Sequence, residues 1–302
     1  MCFTKRKIGF IMLSFFCLIL ILLNFTIGKS MQVCAYSYMP FYDLRPCELS
    51  LRAKFSTEYK SSSTERKNNI KLASKAIDNY LLDVGAEFSF NQTVGPRTEK
   101  RGYMQAKIIV NGEFVDGIGG GVCQVSTTLY NAVLLAGLKV TEYHPHSLPV
   151  SYVAPSFDAM VNSGGADLKF VNNTYNPIII NTFANDEILT ISITGETMME
   201  SYVRQSVLKE EIPAPEEQII LDEKGEYPDF FEGESKVIAY SKKGYKSEGY
   251  LLKKINGEIV EKTKIRSDRY APRKGLIVYG QTKREEEKNF LLNWFLNKFL
   301  QI

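Results

Sequence analysis

Hydrophobic and polar positions divide the chain into segments of different period. From Ile8 to Gly28 there is no charged residue, and a helix through this stretch is apolar on every face. At about 1.5 Å per residue it would span roughly 30 Å, the thickness of a bilayer's hydrocarbon core. Lys5, Arg6 and Lys7 precede it, and positive charge ahead of a span holds the first residues inside. The pattern predicts a cytoplasmic tail at 1–7, a transmembrane signal anchor at 8–28 and an extracytoplasmic linker at 29–64. A cleaved signal peptide is the alternative. The apolar run is longer than a usual signal core, and no clear small-residue cleavage site follows.

The next segment has helical period. Between Lys67 and Leu82, the residues Ile70, Leu72, Ala73, Ala76, Ile77, Tyr80 and Leu81 share one broad face. Strand-like runs follow at Glu87–Phe90 and Lys107–Val110, and Asn111-Gly112 signals a two-residue hairpin returning through Glu113–Val115. A glycine cluster at 117–121 interrupts the pattern before a second helix, expected over Val122–Gly137. Strand patterns return at Ile178–Ile180 and Ile188–Ile193. Residues 201–225, with Pro213 and Pro215 among glutamates, read as a linker. A β-rich module at 226–281 carries a second Asn-Gly turn at Asn256-Gly257. The tail at 282–302 reads as a short amphipathic helix that could lie at a membrane interface, on a partner or on the protein itself. The fold class expected is an α+β main domain with a glycine loop leading into a central helix and antiparallel strands. A small all-β second domain follows it, and an N-terminal transmembrane helix precedes both.

Composition changes this picture little. The 302 residues are 44% hydrophobic and 24% charged, with a net charge of +3. That charge is spread along the chain and gives no case for nucleic acid. Cysteine changes it more. Cys34 and Cys47 could pair in an oxidising compartment, while Cys123 stands alone in the main domain. It falls in the first turn of the expected helix, where unpaired N–H groups and the helix dipole favour a thiolate. The same N–H groups can stabilise an oxyanion. The plainer alternative is a small buried side chain beneath a tight turn.

Only two histidines exist, His144 and His146. In an extended segment both would point to one face, and a histidine is the usual base for a cysteine nucleophile. Asp158 or Glu142 could orient the ring. A zinc set of both histidines, Cys123 and a carboxylate is a weaker possibility. Arg97 and Arg101 could clamp a substrate carboxylate or stand as solvated charges.

The run Gly85-Ala86-Glu87-Phe88-Ser89-Phe90-Asn91, with Val94-Gly95-Pro96-Arg97-Thr98 and Gly102-Tyr103, resembles the VanW family. So does Gly119-Gly120-Gly121-Val122-Cys123-Gln124-Val125-Ser126-Thr127-Thr128-Leu129-Tyr130-Asn131-Ala132, followed in the family's order by His146-Ser147, Val150–Val153 and Asp158-Ala159. The resemblance implies a VanW-like domain at 65–200. Tyr143 departs from it, standing where the family usually has arginine, as does Ala154–Phe157 in place of a proline-glycine turn. Residues 226–281 are similar to the G-five extracellular module, which implies association with cell wall or glycan.

Through relatives linked to L,D-transpeptidation, the resemblance implies a cysteine acyl transferase acting on peptidoglycan, needing no cofactor and no metal. Cys123, His146, His144 and Asp158 would be catalytic. Gly119, Gly120, Gly121 and Gln124 would form the loop and oxyanion site. Arg97, Tyr103, Ser126 and Ser147 would meet substrate. The partners implied are peptidoglycan and the cytoplasmic membrane. The alternatives are a non-catalytic wall- or glycan-binding protein and, less favoured, a zinc hydrolase. Nothing in the sequence sets the oligomeric state.

Overall fold

The computed structural model describes residues 49–110, 113–223, 225–227 and 231–281. The expected anchor at 8–28, Cys34, Cys47, the Asn111-Gly112 turn and the tail at 282–302 lie outside these residues. No helix among those described is long and apolar enough to cross a membrane.

Among the described residues the structure is mostly β, with 16% helix and several small sheets. This corrects the expected α+β class. The physical reason is that several strands lie where the sequence reads as linker. β1 (Ser50–Glu58) comes from the expected 29–64 linker, and β10 (Glu200–Ile212) from the expected 201–225 linker. Along β10 the half-buried positions include Tyr202, Arg204 and Ser206, while Val203 and Leu208 face solvent. Its alternation is inverted, so no apolar-in pattern announces it.

The first helix, α1 (Thr64–Ala76), starts earlier than its apolar face suggests, because Ser63 caps it by accepting from the Arg66 N–H. It also ends earlier. Asn79 takes a left-handed φ of 54°, and Tyr80–Leu82 leaves the helical path to become strand β2. β3 (Glu87–Ser89) leads into the short helix α2 (Phe90–Val94), and β4 (Gln105–Val110) pairs antiparallel with β5 (Glu113–Ile118). The central helix α3 spans Val122–Leu135, and β6 (Lys139–Glu142), β7 (Lys169–Val171), β8 (Ile178–Ala184) and β9 (Ile188–Gly195) complete the first domain.

The main sheet runs β1-β9-β8-β2, all antiparallel. α3 packs against β1 and β9, and α1 packs against β8 and α3. The core between them includes Leu189, Ile191 and Ile193 from β9, Val125, Leu129 and Val133 from α3, and Ile70 and Ala73 from α1, with Ile77 just past its end.

Nearly every side chain of α3 is buried, including Gln124, Ser126, Thr127, Thr128 and Asn131. A buried polar group must find a partner, and the partners these find build the site described below.

The second domain has two three-stranded sheets. β10 pairs antiparallel with β13 (Gly244–Ile255), and β13 with β14 (Glu258–Tyr270). Asn256 and Gly257 both have positive φ, 52° and 86°, as the expected two-residue turn requires. β11 (Gln218–Asp222), β15 (Leu276–Gly280) and β12 (Ser235–Ala239) form the other sheet, in the order β11-β15-β12. Arg204 ties the two domains together. Its guanidinium lies 4.2 Å from the Phe55 ring centre and 4.9 Å from that of Phe157, and it donates to Asn131 Oδ1.

Candidate functional site

The site begins where β5 runs into α3. Gly120 passes so close to β4 that a Cβ would lie 2.8 Å from the backbone of Ala106. Gly121 caps the helix at a φ of 109°, a conformation that side-chain-bearing residues rarely adopt. Buried Asn69 of α1 pins this loop by donating to the carbonyls of Gly120 (3.0 Å) and Met104 (2.9 Å). The turn presents Cys123, half-buried, in the first turn of α3. The amides of Val122 and Gln124 turn back onto the carbonyls of Gly119 and Gly121. Among the described residues, the Cys123 amide between them has no backbone acceptor.

The polar residues of α3 strap a second loop over this helix end. Ser126 Oγ donates to the Ala159 carbonyl at 2.6 Å, Thr127 Oγ1 accepts from the Ala159 N–H at 2.9 Å, and Asn131 donates to the Phe157 carbonyl at 2.8 Å. These bonds hold Phe157–Val161 against the helix. The Cys123 thiol donates to the Val161 carbonyl at 3.2 Å. Asp158, 1% exposed, accepts from the His146 backbone N–H (2.6 Å) and from His146 Nδ1 (2.8 Å), both through Oδ2. The His146 ring in turn lies close enough to the Cys123 side chain for each to shift the other's titration. Cys123, His146 and Asp158 therefore form a connected series.

Its electrostatics favour an ion pair. Burial pushes the Cys123 thiol up, but His146, with Arg97 further off, brings it below its ordinary value. Burial pulls His146 down, but Asp158 and Cys123 together raise it to about 9. Burial likewise raises Asp158, and His146, Arg266 and Tyr270 outweigh it, so the carboxyl stays below its usual range.

His144 does not join this group. β6 ends at Glu142, so the two histidines do not share a strand face. His144 Nε2 pairs with Glu142 Oε1 at 2.9 Å, and Glu142 also binds Lys169 at 2.7 Å. The zinc set needed both histidines together. Among the described residues, no three His, Cys, Asp or Glu side chains converge in a way that could hold a metal ion.

The other expected site residues divide. The Gln124 side chain is buried and fully engaged, accepting from Arg66 and donating to Thr57 Oγ1 and the Glu58 carbonyl. Tyr103 is a core residue, 3% exposed, and Ser126 is wholly buried. Ser147 is exposed. Arg97 is half-buried beside Gly119, bonded to Asn91 Oδ1 at 2.8 Å and to the Gly95 carbonyl, and its charge reaches Cys123. Tyr152, within the Val150–Val153 run, lies within electrostatic reach of Cys123. It lines a cleft of about 760 Å³ together with Ser151 and residues 56–61. Arg266 and Tyr270, both on β14, also reach Asp158.

Residues 65–194 match the family described as VanW like protein, and residues 203–282 match the G5 domain. A protein of Bacillus subtilis (strain 168) described as "Uncharacterized protein YoaR" is 42% identical over 152 residues, 50% of each chain. The "Vancomycin B-type resistance protein VanW" of Enterococcus faecalis (strain ATCC 700802 / V583) is 31% identical over 111 residues, 35% of this chain and 40% of that one. The chain thus spans about half the length, or less, of these curated relatives. Among solved structures, an IgA1 protease G5 domain is 24% identical with a TM-score of 0.18, covering 28% of this chain and 92% of its own. The G5 domain of HP0197 is 20% identical with a TM-score of 0.14, covering 27% and 97%.

Proposed function

We propose, for a chain that carries a VanW-like domain followed by a C-terminal G5 domain, a cysteine acyl transferase that acts on peptidoglycan stem peptides outside the cytoplasmic membrane. The two domains together suggest a cell-wall-associated protein. The observation that carries the finer reading is the Cys123–His146–Asp158 series at the start of α3.

In this reading the Cys123 thiolate attacks the carbonyl carbon of a stem-peptide amide. The oxyanion that forms meets the Cys123 amide and the positive end of α3. As the C–N bond breaks, His146 gives its proton to the departing amine and a thioester remains on Cys123. An acceptor amine from a neighbouring stem then attacks the thioester. Its proton passes to His146 as the C–S bond breaks, which restores the starting charges. Asp158 holds the ring with Nδ1 occupied, leaving Nε2 for the sulfur. The cleaved amide supplies the acyl group, so no nucleotide is consumed. Arg97, whose charge reaches Cys123, would meet a substrate carboxylate, and Ser147 would stand at the rim.

The test is purified chain with disaccharide-tetrapeptide. The reading predicts cross-linked dimer and released D-alanine, both lost in Cys123→Ala. Folded protein that yields neither leaves a non-catalytic wall-binding protein, and activity retained in Cys123→Ala defeats the residue assignment.

A further inference from the structure

Asp158 belongs to the first domain, but the second domain holds half of its carboxylate. Oδ2 is taken by His146. Oδ1 accepts from the Tyr270 hydroxyl at 2.6 Å and from Arg266 Nη2 at 3.3 Å. Arg266 Nη1 also donates to the Asp158 main-chain carbonyl at 2.5 Å, so one guanidinium grips both the backbone and the side chain of the same residue. Its Nε binds Asp268 Oδ2 at 2.6 Å, and its face lies 4.7 Å from the ring centre of Tyr143.

The loops on either side are held from the same domain. Tyr270 Oη accepts from the Ser156 N–H at 2.8 Å, Ser247 Oγ meets Ser156 Oγ at 2.7 Å, and the Ala271 N–H donates to the Ser147 carbonyl at 3.1 Å. Ser147 and Ser156 flank His146 and Asp158, so both loops of the series rest on the β13–β14 hairpin.

We propose that Arg266 and Tyr270 are positioning residues of the acyl-transfer site, keeping Asp158 an ionised carboxylate turned toward His146, so that the G5 domain is part of the site. The proposal rests on the reading of Cys123, His146 and Asp158 given above. A buried carboxylate left without donors takes up a proton instead of holding its charge. Two cationic side chains, His146 and Arg266, face Asp158, Asp268 and the Cys123 sulfur in a buried cluster. Tyr152 and Tyr245 are the other titratable groups whose environments include Asp158.

The experiment is iodoacetamide alkylation of Cys123 in the full chain across pH 4–10, quantified on the Cys123 peptide by mass spectrometry. In the unaltered chain the midpoint lies below that of an ordinary thiol, and Asp158→Asn raises it. Tyr270→Phe and Arg266→Gln are expected to raise it in the same direction. At pH 6 this slows alkylation by about three- to tenfold, since one pH unit is a factor of ten in thiolate. Arg266→Lys restores part of the loss. Unmoved midpoints overturn the proposal. So does a midpoint raised in Arg266→Gln but unmoved in Tyr270→Phe, the result expected if only a nearby cation is lost, since losing a positive charge by itself raises a thiol's midpoint. Failure of all the variants to fold also overturns it, in favour of a purely structural role. An ordinary thiol midpoint in the unaltered chain defeats the acyl-transfer reading itself, whereas a lowered midpoint with unmoved variants defeats the positioning role alone.

Discussion

Gly249→Ala tests the close seat of the second domain on the loop that carries Asp158. Gly249 is buried in β13, and a Cβ there would lie 2.8 Å from the Ser156 carbonyl oxygen and 3.1 Å from Ser156 Cβ and Arg266 Cγ. The nearest atom is backbone, so it cannot swing aside as a side-chain end would. Overpacking of this kind costs about 1–3 kcal/mol. The φ of Gly249 is not positive, so alanine also returns about 0.4–1 kcal/mol by restricting the unfolded chain. The net expectation is a loss of about 0–2.6 kcal/mol, near 1.3 at the middle of the range. Urea unfolding followed by circular dichroism measures it. Gly164→Ala is the control, since its Cβ would come no nearer than 3.5 Å to Asn162 Oδ1, an ordinary contact. A Gly249→Ala chain stabilised by about 0.4–1 kcal/mol, the unopposed effect on the unfolded chain, would refute the close packing of the two domains around Ser156.

Ser126→Ala removes the hydroxyl that reaches the Ala159 carbonyl at 2.6 Å. It should cost about 1–3 kcal/mol of stability and leave KM for the tetrapeptide unchanged, whereas a raised KM with unchanged stability would return Ser126 to the substrate. The His146 ring should titrate near pH 9 against an ordinary value of 6.5. The folded ring holds its proton longer, so its contribution to stability is complete below about pH 6.5 and is lost as pH rises through about 9. Nuclear magnetic resonance titration reads the midpoint directly, and Cys123→Ala should lower it, since the thiol is one of the groups that raise it. Arg204→Met removes a half-buried cation from between Phe55 and Phe157 and strands Asn131 Oδ1. It should cost about 2–4 kcal/mol in chemical unfolding, and a loss below about 0.5 kcal/mol would contradict the part assigned to Arg204 in joining the domains.

Local chemistry is the legible part of this chain. The glycine cluster, the helix after it and the Asn256-Gly257 turn depend on backbone conformations confined to few residues, so they show in sequence. Cys123, His146 and Asp158 are visible as reactive types in one domain. The choice between His144 and His146 is not, because it depends on where β6 ends and on which carboxylate each ring meets. The structural roles of Ser126 and Gln124 are hidden as well. Their motif looks like substrate chemistry, and only burial shows that their side chains bind the protein's own groups. Arg266 and Tyr270 are hidden most completely. They stand more than 100 residues from Asp158 on a strand of the other domain, and no local period marks such a contact. β10 escapes because its half-buried side includes an arginine while a valine and a leucine face water.

The central claim is that Cys123 carries an acyl group. Intact-mass analysis of the full chain, quenched in acid during reaction with disaccharide-tetrapeptide, tests it most directly. The account predicts an adduct equal in mass to the substrate less D-alanine, located at Cys123, cleaved by hydroxylamine and absent from Cys123→Ala. Folded chain that releases D-alanine with no adduct at Cys123, or that forms the same adduct in Cys123→Ala, would contradict it.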